Sequence, residues 1–373
     1  MTDEVPSVLE VLEALDRAAP ERAARADAWK RWEPHQDPTA IPPGFRARGV
    51  STLRRGDGSI ALQWQKTATD ADAQHQAVLD AFASVAASIP RAAPTPAPKG
   101  RGDADLLNVI PLGDPHLGLY AWAQETGDRN FDLKIASHEL RVGVDHMIAR
   151  LPDAHSALLV PLGDFFHSDN AQNRTARSGH ALDVDGRYGK IASAGVAVVV
   201  YQILALLRTH RRVTVRIEIG NHDDHSSQWL ALCLMQRFHD EPRVEIHGGD
   251  GCKFWYCEFG KNLLGTTHGD TVKRSGPSLA EIMAHDRPDA WGRTTWRRWL
   301  VGHVHNLSVH ERPGVEIETH RTNAARDGWT AGAGYRAGQG FVAYTLSRNY
   351  GEVSRVRVSQ LEINERYRKK AIK

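Results

Sequence analysis

Cysteine is scarce in this chain of 373 residues, which contains only Cys233, Cys252 and Cys257. Three cysteines cannot form the disulfide framework that stabilises small secreted domains, and a chain of this length can bury a sizeable core without one. The composition therefore excludes a disulfide scaffold. It favours a reducing compartment, and we expect a cytoplasmic protein.

An excess of one charge is also lacking. The chain has 47 lysines and arginines against 45 aspartates and glutamates, which gives a formal net charge of +2. This balance excludes a histone-like polycation and an acidic disordered tail. It leaves nucleic acid open as a partner, because a local basic face can bind phosphates in a chain that is nearly neutral as a whole.

Long hydrophobic runs are missing as well. The longest apolar stretch, residues 191–207, is short for a membrane span and contains Ser193, Gly195 and Gln202. Residues 1–10 are acidic and lack the charged-then-apolar pattern of a secretory signal. We therefore expect no membrane association, and we expect residues 191–207 to form a buried helix of an α/β domain.

The chain divides by pattern into two parts. Residues 1–95 contain helical periodicity at 5–19 and 71–87, and two β-like runs, 49–53 and 59–65, that flank Asp57-Gly58. An Asp-Gly pair between two such runs is a strong hairpin signal. A linker rich in proline and alanine continues to about residue 103. The sequence therefore predicts a small N-terminal α+β unit, followed by a main domain over residues 104–373.

Five apolar runs of the main domain are each followed at once by polar residues of metal-binding type. The pairs are residues 106–112 before Asp114 and His116, 157–162 before Asp164, 213–219 before Asn221 and His222, 263–267 before His268, and 299–301 before His303 and His305. Helical stretches at 133–151 and 192–207 lie between them. In α/β sheets, ligand-binding residues gather just past the carboxyl ends of the strands.

Further β-like segments at 315–320, 341–347 and 353–361 suggest a second sheet packed against the first. The predicted fold is therefore α/β, with two sheets and flanking helices.

Histidine, in contrast to cysteine, is abundant, with 19 residues. A single Asp-x-His or Gly-Asp pair after a strand usually serves a turn or a cap. Five such motifs in succession favour a metal site instead. Mixed imidazole and carboxylate ligands suit Mn²⁺, with Fe²⁺, Zn²⁺ or Ni²⁺ as alternatives, rather than Ca²⁺, which takes oxygen ligands.

In their order and spacing, these five motifs resemble those of the calcineurin-like metallophosphoesterases, over about residues 105–350. The resemblance implies a two-layered β-sandwich flanked by helices, with two metal ions at the strand ends. It implies that the first ion is held by Asp114, His116, Asp164 and His305. The second would be held by Asp164, Asn221, His268 and His303, so that Asp164 bridges the two.

Two metal ions can clamp the attacking and leaving oxygens of a phosphoryl displacement, and a water between them would lose a proton near neutral pH and become the nucleophile. His222, next to Asn221, is expected to donate a proton to the leaving oxygen. His167 stands three residues after Asp164. There the sequence is similar to the nuclease subunits of DNA double-strand-break repair complexes, which implies that His167 helps to hold a phosphodiester.

The sequence departs from those nucleases after the last motif, because only about 68 residues follow His305 and leave no room for a DNA-binding cap. We expect contacts to nucleic acid at Arg187, Lys190 and His225. Residues 182–188 and 326–338 resemble phosphoesterases encoded by bacteriophages and prophages, which would place the protein in a host cytoplasm. Trp291, Trp296 and Trp299 either stack bases or, as the better supported alternative, pack in the protein.

These observations predict a two-metal phosphodiesterase or nuclease that acts on DNA or RNA. One alternative is a phosphomonoesterase or small-nucleotide phosphohydrolase on the same scaffold. Another is a non-enzymatic nucleic-acid-binding protein. The oligomeric state is left open.

Overall fold

A computed structural model describes residues 45–69, 91–100, 102–175, 179–272 and 278–371 of the chain. The described residues divide into two compact units, with residues 45–69 in the smaller and residues from 91 onward in the larger. The helices predicted at 5–19 and 71–87 lie outside the described residues. The proposed N-terminal unit of residues 1–95 therefore stays a prediction.

The described part of the smaller unit is a β-hairpin. Strands β1 (Phe45–Arg54) and β2 (Ile60–Thr69) pair antiparallel around the predicted turn. Asp57 stabilises this turn, because its carboxylate accepts hydrogen bonds from the backbone N–H and the hydroxyl of Ser59. Leu53, Leu62 and Trp64 leave about half of their surface exposed.

The larger unit contains a six-stranded sheet in the order β13-β12-β3-β4-β5-β6. Strands β3 to β6 run parallel, and β12 and β13 are antiparallel additions at one edge. The strands are β3 (Asp103–Leu112), β4 (Ala154–Pro161), β5 (Arg212–Arg216), β6 (Val244–His247), β12 (Gly340–Ser347) and β13 (Gly351–Ser359).

A five-stranded sheet in the order β10-β11-β9-β8-β7 forms the second layer. Its central strands β8, β9 and β11 run parallel. The strands are β7 (Trp255–Phe259), β8 (Asn262–Thr267), β9 (Trp296–Val301), β10 (Ser308–Arg312) and β11 (Val315–Thr319).

Both faces of the central strands are buried, and this explains their nearly continuous apolar sequence. In β3, Val109 packs into the core between the two sheets, whereas its neighbour Ile110 packs into the core beneath the helices. Leu264 of β8 and Leu300 of β9 complete the inter-sheet core. The predicted two-sheet α/β sandwich flanked by helices is confirmed.

Helices cover the outer faces of both sheets. Asp132 begins α2, because its side chain accepts the backbone N–H of Ile135, a common way to satisfy a free helical donor. The helices are α1 (Ala123–Thr126), α2 (Leu133–Ile148), α3 (Tyr188–Leu207), α4 (Ser226–Arg237), α5 (Leu279–Asp286), α6 (Pro288–Arg293), α7 (Gly328–Gly332) and α8 (Gln360–Ala371).

Helix α3 contains the longest apolar stretch of the sequence. By length and composition alone it could cross a membrane, and it is the one such helix among the described residues. It packs into the hydrophobic core through Val198, Val199 and Ile203, as predicted for a buried helix.

Two predicted strands end earlier than the sequence pattern suggests. The predicted end of the strand over 353–361 is wrong, because β13 stops at Ser359 and α8 begins at Gln360. The helix brings Ile363 into the core. The run 213–219 also overshoots, since β5 ends at Arg216, although Ile217 and Ile219 remain buried.

Residues 91–100 of the predicted linker lie against the larger unit without forming a helix or a strand. The backbone N–H of Ala92 donates to the carbonyl of Arg237 at 2.8 Å. Arg243 donates to the carbonyl of Thr95, and Arg211 donates to the carbonyl of Pro98. This part of the linker is therefore bound to the domain that it precedes.

Candidate metal centre

The motif residues meet in a cleft at the carboxyl ends of strands from both sheets. Strands β3, β4 and β5 lead into it from one sheet, and β8 and β9 lead into it from the other. The loops after β3 and β4 continue to pair: the backbone N–H of His116 donates to the carbonyl of Asp164 at 2.9 Å, and that of His167 donates to the carbonyl of Leu117 at 3.0 Å.

Three groups of side chains in the cleft have the composition of metal sites. Within each group, the candidate ligand atoms lie within 4.8 Å of one another. The groups are Asp114, His116 and His305; Asp164, His268 and His303; and His116, His167 and His222. Asn221 joins the second group, since its Oδ1 lies 3.1 Å from His268 Nε2. The seven predicted ligands therefore lie together in one cleft. Asp164 lies in the group of His268 and His303 and not in that of Asp114, His116 and His305, so its bridging role stays a prediction.

The backbone of this cleft is strained at the predicted ligands. Among the described residues, six that are not glycine have positive φ angles, and five of them are predicted ligands: Asp114 (41°), His116 (44°), Asp164 (46°), His303 (69°) and His305 (55°). A side chain in this conformation costs about 1–3 kcal/mol, and such strain clusters at functional sites.

Glycines of the same motifs permit close approach of the chain segments. A Cβ atom on Gly220 would stand 2.1 Å from Asp164 Oδ1. Gly163 has a φ of 86°, and a Cβ there would stand 2.6 Å from His268 Nδ1. Any larger residue at either position would displace a predicted ligand.

The electrostatics of the cleft favour a bound cation. Burial alone would lower the pKa of His268, but the carboxylates of Asp164 and Asp114 outweigh burial and raise it to about 10. The Nδ1 of His268 donates to the carbonyl of Leu162 at 2.9 Å, which directs Nε2 toward Asn221 and Asp164. A hydrogen bond of this kind commonly orients histidine ligands of metals.

Other histidines of the cleft are held neutral, which is the form that binds metals. Burial lowers the pKa of His116 well below its usual value, and the rings of His222 and His305 lower it further. Burial also lowers the pKa of His167 to about 3. His116 Nε2 lies 3.0 Å from His305 Nε2, and His116 Nδ1 lies 3.3 Å from His167 Nδ1.

Two buried polar atoms of the cleft have no hydrogen-bond partner among the described residues. They are Asp114 Oδ2 and His167 Nε2. An uncompensated buried carboxylate oxygen is costly, and coordination of a cation removes that cost. The donor set, the burial and the orphaned Asp114 oxygen thus all fit divalent transition-metal ions.

His222, which belongs to the group with His116 and His167, is held in an orientation that fixes its tautomer. Its Nδ1 lies 2.9 Å from the carbonyl oxygen of His167, which can only accept, so Nδ1 carries the hydrogen and Nε2 is left for proton exchange. The backbone N–H of His222 donates to Asp164 Oδ1 at 2.8 Å. The rings of His222 and His167 stack with centroids 5.3 Å apart.

The three predicted substrate contacts lie outside the pocket lining and in different settings. Arg187 and Lys190 are exposed at the start of α3. His225 precedes α4 and is 74% exposed, and its Nδ1 lies 2.6 Å from Asp169 Oδ2. Asp169 also accepts the backbone N–H of Ser226, so this carboxylate fixes the entry into α4.

The sequence analysis did not assign a role to Asp223, although it is the fourth residue of the Gly-Asn-His-Asp motif. Its buried carboxylate accepts the backbone N–H groups of Gly220 and Phe166 and ties the third motif to the second. Burial and the nearby Asp164 carboxylate raise the pKa of Asp223 to about 8. The sequence signal was its place in the motif.

A segment that the sequence analysis could not explain also reaches the cleft. Residues 326–339, which we call the aromatic segment, line one pocket together with His116, His167, His222 and His305. The three tryptophans considered above do not line this pocket: Trp299 is fully buried, and Trp296 stands at the amino end of β9, the opposite end from His303.

Comparison with known proteins gives similarity at the level of structure. No protein-family model matches the chain, and no curated protein matches it in sequence. It is similar to Vps29 complexed with zinc from Entamoeba histolytica, with 12% identity over 68% of this chain and 99% of that one, and a TM-score of 0.29.

Two further structures are similar to a comparable extent. One is described as a novel archaeal phosphodiesterase, with 11% identity over 68% of this chain and 99% of that one, and a TM-score of 0.33. The other is a conserved uncharacterized protein from Streptococcus pneumoniae TIGR4, described as a predicted phosphoesterase, with 10% identity over 69% of this chain and 99% of that one, and a TM-score of 0.29. These values are too low to transfer a function, so the site's own residues must support one.

Proposed function

We propose that the protein is a metal-dependent phosphodiesterase that hydrolyses DNA or RNA at a site for two divalent ions, with Mn²⁺ as the first candidate. One observation carries the proposal: the strained backbone at five predicted ligands, in a chain where only one other described non-glycine residue has a positive φ. Strain of this kind persists where a function requires the geometry.

Two of the groups in the cleft would each hold one ion. Asp114, His116 and His305 would hold the first, and His268, His303 and Asn221 would hold the second. Asp164, which lies in the second group, would be shared by both ions, as the resemblance of the motifs implies. When bound, two such ions supply Lewis-acid stabilisation of the phosphoryl oxygens and an activated water.

The protein's own proton donor would be His222. Its Nδ1 is committed to the carbonyl of His167, so Nε2 is the atom that gives a proton to the departing oxygen. His167 would act without charge, because burial keeps its pKa at about 3. Its unpartnered Nε2 would hydrogen-bond a phosphoryl oxygen.

The charge of the pocket favours a diester over a monoester. Arg326 is the only lysine or arginine among its lining residues, and its guanidinium faces Asp128, with 3.6 Å between Nε and Oδ2. A monoester carries one more negative charge than a diester near neutral pH and would gain more from free cations. Arg187 and Lys190 would instead contact neighbouring phosphates of a nucleic acid.

The test is a substrate screen combined with metal analysis. We expect protein loaded with Mn²⁺ to hydrolyse bis(p-nitrophenyl) phosphate and oligonucleotides faster than p-nitrophenyl phosphate. Elemental analysis should find two ions per chain, and Asp164→Asn should lower the occupancy of both. Asp240→Asn, at a side chain that is 62% exposed, is the matched control and should leave the metal occupancy and the hydrolysis rates unchanged.

The alternatives make opposite predictions in the same screen. Much faster hydrolysis of the monoester than of any diester would replace the proposal with a phosphomonoesterase. A protein that binds no transition metal and hydrolyses no ester would support the non-enzymatic nucleic-acid-binding alternative. An Asp164→Asn variant that keeps two fully occupied sites would contradict the shared ligand.

A further inference from the structure

The aromatic segment forms a wall of the pocket that also contains the catalytic histidines. Trp329 and Tyr335 line this pocket together with His222. Because His222 is the proposed proton donor to the departing oxygen, a group attached to that oxygen would share the pocket with these two rings.

Both rings are exposed, so packing in the hydrophobic core does not explain their presence. Trp329 is 64% exposed, more than any other tryptophan among the described residues, and Tyr335 is 42% exposed. Their ring centroids are 5.8 Å apart, and their planes are tilted by 37°. Exposed aromatic surface at the rim of a cleft is typical of a ligand-binding site.

Hydrogen bonds fix the backbone of the segment that carries both rings. The carboxylate of Asp327 accepts the backbone N–H and the hydroxyl of Thr330, and the backbone N–H of Tyr335 donates to the carbonyl of Thr330. Asp128 Oδ2 accepts both the backbone N–H of Arg326 and the side-chain amide of Gln339, so one carboxylate ties the two ends of the segment together. Such preorganisation lowers the entropy cost of binding.

The chemistry of this wall suits a flat, uncharged group. Arg326 is the only lysine or arginine among the pocket's lining residues, and its guanidinium faces Asp128. The pocket therefore offers a second phosphate little unpaired positive charge and offers instead two aromatic faces. Bases stack on such faces, whatever their identity.

We propose that Trp329 and Tyr335 form a stacking platform for the nucleobase attached to the scissile phosphodiester. The proposal rests on the proposed function and deepens it, because it makes a nucleotide the preferred substrate. Loss of one stacked base corresponds to roughly a 5- to 150-fold change in affinity.

The test compares ligands that differ only in the base. Isothermal titration calorimetry on the full chain with Mn²⁺ would give the Kd of thymidine 5′-monophosphate and of 2-deoxyribose 5-phosphate. We expect the wild type to bind the nucleotide roughly 5- to 150-fold more tightly. Trp329→Ala and Tyr335→Ala should reduce this ratio, and Trp329→Phe should retain most of it.

A second measurement extends the comparison to turnover. This measurement compares kcat/KM for thymidylyl-(3′→5′)-thymidine with kcat/KM for the same compound without the base of the departing nucleoside. The ratio of the two values should fall by a similar factor in the two alanine variants. Tyr350→Ala is the control. Tyr350 is 74% exposed and follows β12, whose end pairs Ser347 with Leu106 at the amino end of β3, away from the cleft.

Three results would overturn the proposal. Equal binding of the nucleotide and the sugar phosphate by the wild type would mean that the rings do not contact the base. An unchanged ratio in Trp329→Ala, with both substrates slowed equally, would mean that the segment only shapes the pocket. Hydrolysis of monoesters without any hydrolysis of diesters would instead remove the proposed function, and this inference with it.

Discussion

The backbone and the side chain of His222 are expected to have different roles in the cleft. Its backbone N–H supports Asp164, whereas its imidazole Nε2 is free for proton transfer. A substitution that keeps the backbone therefore separates metal binding from catalysis. This separation allows a sharp prediction at the scale of one residue.

We expect His222→Ala to retain both metal ions and to lose about 10²–10⁴-fold in kcat on nucleotide diesters, because it removes only proton donation. The loss should be smaller on bis(p-nitrophenyl) phosphate, since p-nitrophenolate leaves without a proton. Elemental analysis and rates on both substrates check this. His285→Ala, at a side chain that is 89% exposed, is the control, and loss of an ion in His222→Ala would make His222 a ligand.

A second residue-scale prediction concerns acid stability. Burial lowers the pKa of His320 to about 4, although Glu318 opposes the shift. The unfolded chain takes up this proton near pH 6.5 and the folded chain does not, so stability falls as the pH drops from about 6.5 to about 4. The contribution amounts to about 3 kcal/mol.

Urea unfolding between pH 7.5 and 4.5 measures this dependence. We expect His320→Phe to show a flatter profile than the wild type over that range. Parallel profiles would show that His320 takes no part in the acid sensitivity. Other histidines whose pKa burial lowers, His116 and His210 among them, should leave a residual slope in the variant.

At the scale of elements, one buried ion pair connects helix α2 with the loops around the aromatic segment. Arg129 binds both oxygens of Glu139, whose side chain is fully buried. The same guanidinium donates to the carbonyl of Asn323 and to the side chain of Gln339. Its loss would therefore leave a buried charge unpaired and loosen both ends of the aromatic segment.

We expect Arg129→Ala to lower the free energy of unfolding by about 3–5 kcal/mol. Burial already raises the pKa of Glu139 against the opposing effect of Arg129, and without Arg129 it should rise further. A raised carboxyl pKa costs stability as the pH rises through it, so the deficit should be smaller at pH 5 than at pH 8.

Arg150→Ala is the matched control for this ion pair. Arg150 binds Glu362 at the surface, where its side chain is 38% exposed, so its loss should cost at most about 1 kcal/mol. Equal losses in the two variants, or a deficit in Arg129→Ala that does not depend on pH, would contradict the role given to the buried pair.

The elements show where the sequence could and could not predict the structure. The site was predictable because parallel strands end at one edge, so motifs after β3, β4 and β5 had to meet. The edge strand β10 gave no signal, because its exposed polar residues follow no hydrophobic pattern. The place of the aromatic segment was also hidden, since Asp128 holds it from about 200 residues away in sequence.

For the whole molecule, the division at residue 90 separates the hairpin from the domain that contains the cleft. All the predicted metal ligands and the aromatic segment lie in the larger unit. Hydrolysis of small diesters should therefore not require residues 1–90. Arg54 and Arg55 are exposed in the hairpin and could add phosphate contacts to a long nucleic acid.

We expect a chain that begins at Arg91 to keep the wild-type kcat/KM on bis(p-nitrophenyl) phosphate and to bind oligonucleotides more weakly, with a shallower salt dependence. A chain that begins at Gly102 should melt at a lower temperature, because it lacks the carbonyls of Thr95 and Pro98 that Arg243 and Arg211 bind. Salt-dependent binding and thermal melts distinguish the two truncations. If the chain from Arg91 loses its turnover of the small diester, the two units do not act independently, and the smaller one must contribute to the cleft itself.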